Sequence, residues 1–492
     1  MIIALALLLS VLATSVDAST MYVRPGSGHG AGDGTSYGDA FDDFNDVSWG
    51  TNDGQLGPGD TLKVCGVFVV TALQAKHSGA VDLPITLDGD CRADGEPGIS
   101  RIDGTVNHLN NTMQLLTNRW EFGGGASNEG YQYLIFKNLI VVVEAGPGIT
   151  RGGAKINATS APGVVDRTVD TFVILDNIHI YMVGVFGDEL QDCVNGRGSH
   201  TRITNSSIHD CTHDAVYWEG NFNEIDHSII ARPDLKTGGP GGDCVQFGGA
   251  VGIQNTGNWI HHNVMDHSNK ATKQVIILSG DSDLPMFNVV EDNLLIGASS
   301  VVNYNPSGGI IQRNLMIGIP GMTRVLNIER QIGTNLAGNA VTLADNILVA
   351  HPGTVGSFGI FVTMPSSTIP YEILAYRNIV VGFQDTGIRM FATPLSARVA
   401  NNIVHSTAGT YAFSFGSATV TKNDYNTWYG TANKWQGGGA PDASTHDSNL
   451  NVTSIPIPTN YYQPPNYFPV RIPRLDARSL TFSPAWTAGS GW

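Results

Sequence analysis

Four short segments of this chain share a pattern with chemical potential: Asp192-Cys193-Val194-Asn195, Asp214-Ala215-Val216-Tyr217, Asp243-Cys244-Val245-Gln246 and Lys273-Gln274-Val275-Ile276. Read as successive turns of a repeat, they stack Val on Val and set Asp192, Asp214, Asp243 and Lys273 in one column. Adjacent parallel strands lie about 4.8 Å apart. Three carboxylates at that spacing repel one another unless a proton or a cation intervenes. One remedy is protonation, which makes an acid catalyst. The other is a hard cation such as Ca2+ bridging Asp192, Asp214 and Asp243, with oxygens at about 2.3–2.6 Å. A lysine beside that cation has its ammonium form disfavoured, so Lys273 could serve as a base. β-Elimination at a uronic acid needs these parts: neutralisation of the developing charge, a base for the proton next to the carboxylate, and an acid for the leaving oxygen. The structural alternative is that each Asp caps a turn and Lys273 pairs with Asp243. A straight strand would also point each Asp inward with the Val two residues on, so the column requires a bend between them.

Other polar and aromatic residues cluster around these segments. His213 borders the column and joins the catalytic candidates Lys273, Asp243 and Asp214, while His209, His227, His261, His262 and His267 are near in sequence. Tyr217 and Trp218 are candidates for stacking on a sugar ring, with a place in the core as the alternative. Gln246, Arg232 and Lys270 are the remaining candidate substrate contacts. Arg232, Lys236 and Lys270 would form a local basic patch for an acidic glycan. The Gly-rich stretch 233–242 would supply a wall to the site.

These segments need a scaffold that repeats. Two or three β-formers, a polar residue, Asn and then two or three apolar residues recur from residue 134 to about 430, as in LIFKNLIVV, VVEDNLLIG and TLADNILVA. The shared polar position falls at Asn138, Asn177, Ser207, Ser228, Asn263, Asn293, Asn314, Asn346, Asn378 and Asn402, with Asn426 a further copy. The spacing is irregular but never shorter than 21 residues. A solenoid with a minimum coil and loops of variable length has this signature. The copies are too short and too β-branched for helix pairs. A repeated Asn suits a tight bend, where it tolerates the left-handed conformation and stacks as an amide ladder.

At this point the chain resembles the right-handed parallel β-helix proteins of the pectate-lyase-like superfamily. The opening Tyr22-Val23-Arg24-Pro25-Gly26-Ser27-Gly28, Gly32-Asp33-Gly34-Thr35-Ser36 and Gly57-Pro58-Gly59-Asp60-Thr61-Leu62 is similar to theirs, as is the closing Leu480-Thr481-Phe482-Ser483-Pro484-Ala485. The resemblance spans nearly the whole chain after its N-terminus and implies an all-β solenoid of about ten or more coils. Several members are polysaccharide lyases with acidic calcium ligands and a Lys or Arg base. Carried over by position, Asp192, Asp214 and Asp243 become metal or substrate ligands and Lys273 the base. Asn269-Lys-Ala-Thr-Lys273 loosely resembles alginate-lyase signatures, whereas the doubled-Asp calcium motif of calcium-dependent pectate lyases is absent.

Bulk properties narrow the function. The chain has 492 residues, 14% charged, with 59 Gly and a net charge of −16. No general basic face exists to hold nucleic acid, so an anionic polymer must bind at a local patch. Residues 1–18 read as a signal peptide, which predicts export to an extracellular or periplasmic space, and no later segment reads as a membrane span. Residues 19–435 are expected to form the β-helix with its N-terminal cap, and 436–492 an irregular segment packed on the last coils. Cys65 and Cys91 could pair in an oxidising compartment, while Cys193, Cys211 and Cys244 read as small buried hydrophobes. The leading expectation is a secreted lyase of a uronic-acid polysaccharide. A glycoside hydrolase using paired Asp, and a non-enzymatic glycan-binding surface or virion protein, are the alternatives.

Overall fold

The computed structural model describes residues 18–436 together with 448–449, apart from loop segments, the longest being 105–115, 118–129, 146–152, 249–254, 280–286, 330–339 and 364–370. The expected signal peptide and most of the expected C-terminal segment lie outside the described residues. The chain divides into two compact units, Met1–Glu144 with Ile149–Val183 and Arg197–Ser206, and Ala145–Gly148 with Gly184–Gly196 and Ser207–Trp492. Each is built mainly of parallel strands.

In the first unit, Thr20–Val23, Thr61–Val64, Ile85–Asp88 and Leu134–Ala145 pair in order, each parallel to the next. Their registers superpose Met21, Leu62, Leu87 and Phe136, all buried. Cys65 and Cys91 form a disulfide, the pairing that the sequence left open.

The second unit repeats a three-strand coil. One face runs through Val216–Glu219, Val245–Phe247, Gln274–Leu278, Ser300–Tyr304, Arg324–Glu329, Phe358–Thr363, Thr386–Phe391 and Tyr411–Ser414. A second begins Glu224–Asp226, Trp259–His261, Phe287–Glu291, and a third Ile229–Ala231, Val264–His267, Leu294–Gly297. Every pairing is parallel and every return passes through the other two faces. Parallel crossovers of this kind are right-handed, and the chain folds as a right-handed parallel β-helix.

Stacked apolar columns hold the coils together. On the first face Val216, Val245, Ile276, Val302, Leu326, Ile360, Ile388 and Phe413 lie in register, each 0% exposed. Burying each such side chain contributes roughly 1.5–3 kcal/mol. The residues just before them, Ala215, Cys244, Val275, Val301 and Val325, are also buried. Two consecutive inward residues break the strand alternation, which is the bend that the Asp column requires.

A second column is polar. The backbone N–H of Ser228 donates to Asn263 Oδ1, and the same bond repeats from Asn263 to Asn293, then Asn314, Asn346, Asn378, Asn402 and Asn426, at 3.0–3.2 Å. Each Nδ2 from Asn263 to Asn402 also donates to the next Oδ1. The amides are buried. The left-handed residue is not the Asn itself, as expected from sequence, but its predecessor: His227, His262, Asp292, Arg313, Asp345, Arg377, Asn401 and Tyr425 have φ of 49–59°. The inward Asn needs extended backbone for its amide to reach the next coil, so the turn falls one residue earlier. In the first unit Asn138 and Asn177 occupy that left-handed position, with Asn177 Nδ2 donating to Asn138 Oδ1 at 2.8 Å. Ser206, not Ser207, accepts the Ile178 N–H there.

Candidate active site

The Asp column exists in the second unit, and its first role is to cap the backbone. Asp192 Oδ1 accepts the Asp214 N–H at 3.3 Å, Asp214 Oδ1 the Asp243 N–H at 2.7 Å, and Asp243 Oδ1 the Gln274 N–H at 2.7 Å. Lys273 is therefore not the fourth member. Val245 pairs with Ile276, so Gln274 aligns with Asp243 and Lys273 stands one residue before the column. One extra residue before the strand shifts the register by one, which spacing alone does not reveal.

Burial sets the state of these carboxyls. Asp214 is 0% exposed and Asp243 1%. Asp214 is held well above the usual carboxyl range, first by burial and then by the Asp192 and Asp243 carboxylates. Asp243 is pushed up to about 6 by burial, against the Gln274 N–H and the Lys273 ammonium. Neither carboxyl is open to a polymer, so direct contact of Asp214 or Asp243 with substrate, as expected from sequence, is corrected to a supporting position beneath the surface.

The reachable groups lie around them. His213 Nδ1 lies 2.8 Å from Asp192 Oδ1 and 3.4 Å from Asp214 Oδ2. With Nδ1–H donated to Asp192, the carboxylate selects the tautomer that leaves Nε2 as an acceptor. Asn195 Nδ2 holds the other Asp192 oxygen at 2.8 Å. Cys193 and Cys211 form a disulfide, which corrects their reading as plain hydrophobes. It clamps the residue after Asp192 to the segment entering His213. Cys244 is free and buried, as expected.

Three lysines converge from the neighbouring coil and loop. Lys273 packs over Gly241, where a Cβ would meet its Cγ at 2.3 Å and Asp234 Oδ2 at 3.0 Å. Lys270 Nζ donates to the Lys236 carbonyl at 2.7 Å and lies 3.3 Å from Asp234 Oδ2. Lys236 is 1% exposed, its Nζ has no hydrogen-bond partner among the described residues, and burial lowers its pKa. His267, wholly buried, reaches the Gly242 carbonyl through Nε2 at 2.8 Å, and burial pushes its pKa down. The Asp234 N–H donates to the His213 carbonyl at 2.9 Å, tying this loop to the dyad. Residues 237–240 of the expected wall lie outside the described residues. Lys236 and Lys270 belong to the basic patch expected from sequence, whereas Asp234, which Lys270 meets, was not singled out because it falls in none of the repeated segments.

The other candidates separate. Tyr217 and Gln246 are Cα partners on the outer side of the first face, half-buried, and Tyr217 Oη donates to Glu219 at 2.8 Å. Trp218 is 1% exposed and fills the space above Gly196, so it is a core residue and not a sugar platform. Trp218 alternates with Tyr217 on the strand, and the inward position falls to it. Arg232 forms a two-point ion pair with Asp210, through Nε–Oδ1 at 2.6 Å and Nη2–Oδ2, and so is committed to the protein.

The metal expectation can be checked against donor atoms. Ca2+ takes six to eight oxygens. Here Asp192 spends both oxygens on His213, Asn195 and a backbone N–H, while Asp214 and Asp243 each spend one on backbone. The ligand atoms that come within 4.8 Å of one another belong to Asp192, His213 and Asp214, a set containing an imidazole. This donor set does not fit calcium.

No family model and no curated protein matches the chain. Among solved structures, it is similar to a mannuronic acid specific polysaccharide family 6 lyase from human gut microbiota (14% identity, 78% of each chain, TM-score 0.42). It is also similar to a lacto-N-biosidase from Eubacterium ramulus (11%, 85% of this chain and 68% of that one, TM-score 0.41) and to a tailspike protein of bacteriophage CBA120 (9%, 82% and 59%, TM-score 0.44).

Proposed function

We propose that the second unit is a polysaccharide lyase that cleaves a uronic-acid glycan by β-elimination, with His213 as the base. The observation that carries this reading is the His213–Asp192 dyad, whose carboxylate orients the imidazole, with Lys270 and Lys273 gathered at Asp234, whose N–H bonds the His213 carbonyl. An oriented imidazole is suited to proton abstraction near neutral pH. Lys273 and Lys270 supply positive charge for the uronate carboxylate as charge develops on it. His213 Nε2 takes the proton next to that carboxylate, the C–H electron pair becomes the new C=C bond, and the glycosidic C–O bond breaks with its pair going to the leaving oxygen, which takes a proton from solvent water. The imidazolium formed is stabilised by Asp192. Tyr217 and Gln246 line the same face and would contact the sugar chain. The base assignment moves from Lys273 to His213 because Lys273 stands outside the Asp register and His213 has an orienting carboxylate. No step requires calcium. Export from the cell belongs to the same proposal, since a secreted enzyme meets such polymers and retains its two disulfides.

The test is ultraviolet absorbance of the unsaturated product over a panel of uronic-acid polymers, with and without chelator. Absorbance on at least one polymer, lost in His213→Ala and retained with chelator, is the expected result. New reducing ends without absorbance would replace the lyase by a hydrolase, and cleavage of no polymer would leave a glycan-binding protein.

A further inference from the structure

A second cluster of ligand-type side chains occurs in the second unit on a different face, and the proposed lyase chemistry does not use it. Strands Glu224–Asp226 and Trp259–His261 are neighbours, with Glu224 the Cα partner of Trp259 and Asp226 that of His261. Ile225 and Ile260 fill the core, so Glu224, Asp226 and His261 turn to the outer side. Asp226 is nonetheless 0% exposed and His261 only 5%. One ligand atom of each of these three residues lies within 4.8 Å of the other two. His261 Nε2 is 2.9 Å from Glu224 Oε1. For comparison, two donors at about 2.0–2.1 Å from a tetrahedral Zn2+ stand somewhat over 3 Å apart.

The surroundings complete a familiar chemical logic. His261 Nδ1 lies 2.7 Å from His262 Nδ1. Two facing ring nitrogens at that distance share one proton: donated by His261, it leaves Nε2 as a lone pair facing Glu224, ready for a metal ion; donated by His262, it leaves a direct Nε2–H bond to Glu224. Ligating histidines characteristically donate their other N–H to an acceptor that fixes ring and tautomer, the part that His262 takes here. Asp226 is oriented in turn by His227 Nδ1 at 2.6 Å, and the Trp259 ring stacks on His261 at 3.7 Å between centroids. The nearest carboxylate on the following coil, Glu291, is engaged by Trp259, Gln312 and Arg313 and is not needed as a ligand.

We propose that Glu224, Asp226 and His261 bind one divalent transition-metal ion of the Zn2+ class. An imidazole with two carboxylates selects such an ion over calcium, and three protein ligands leave a fourth position for water. All three ligands sit on paired strands, so the site is preformed and ties two coils together.

The test is titration of the full chain with Co2+, followed by its visible absorption, and with Zn2+ by calorimetry. One ion per chain is expected, with binding weakened at least tenfold in His261→Ala and in Glu224→Gln and retained in His213→Ala. Circular dichroism shows whether each variant is folded. If His261→Ala does not fold, the partly exposed Glu224→Gln decides. No binding by the folded wild-type chain, or binding lost in His213→Ala and kept in Glu224→Gln, overturns the proposal. Loss of uronate cleavage with metal binding intact would bear on the lyase reading alone.

Discussion

Two columns of this molecule use one hydrogen-bonding device with different chemistry. In the column from Ser228 to Asn426, a side-chain oxygen on each coil accepts the backbone N–H of the coil before it. In the column Asp192, Asp214 and Asp243, the oxygen accepts from the coil after it, and the acceptor is a carboxyl. The amides are neutral and tolerate burial once their donors are satisfied. Buried carboxyls repel each other and resist ionisation, so Asp214 and Asp243 carry raised pKa values where Asn would carry none. An amide would serve the backbone equally well. Carboxyls kept at such cost lie next to His213 and Lys273, where the proposed chemistry is placed.

The comparison can be broken at several points. The largest effect is expected at the dyad, where His213→Ala should lower the rate of product formation on a responsive polymer by about 10²–10⁴-fold. Asp192→Asn should lose part of this, because an amide orients the ring less well. In the amide ladder, Asn346→Ala leaves the Asn314 N–H and the Ile311 carbonyl without their partners. Each orphan costs about 1–3 kcal/mol, and denaturant unfolding should show the sum without loss of the fold's strand signal. Reduction of Cys193–Cys211, or Cys193→Ser, should cost about 3 kcal/mol for a loop of this size. It should reduce cleavage as well, because the clamp positions Asp192 against His213.

The smallest and most diagnostic change is Asp243→Asn. The amide oxygen can keep the Gln274 N–H. The Asp243 carboxyl has a folded pKa of about 6, above its unfolded value near 4. The native state therefore binds the extra proton between those values, and the wild-type chain should lose stability as pH rises through that window. The loss is on the order of 1–3 kcal/mol. Asp243→Asn should flatten this slope and raise the melting temperature at neutral pH. A variant with unchanged pH dependence would remove the distinction between the two columns.

Much of this was legible in the sequence. The repeat identified the β-helix, and from Asn263 onward the ladder residues coincide with the observed amide column. Where the left-handed residue is itself Asn, at Asn138 and Asn177, the pattern slipped by one, since sequence alone does not distinguish a turn-forming Asn from a stacking one. Val216 and Val245 aligned as read, but the next inward partner is Ile276 and not Val275, which displaced Lys273. Trp218 was ambiguous because Tyr217 and Trp218 are both aromatic and only strand phase separates them. Cys193–Cys211 was invisible because nothing in the spacing says that the two residues face each other across one coil.

The amide ladder has a further consequence for how such a chain can change in length. Asn314, Asn346 and Asn378 each present an oxygen to one side and an N–H to the other. The rungs are interchangeable, so a segment running from one Asn to the next is a self-contained insert with matching ends. Excising residues 315–346 would bring the Asn314 N–H to the Asn378 oxygen and leave every other rung intact. Length in this scaffold is thus quantised in whole coils, and gain or loss of a coil is a gentler event than deletion of two residues within one.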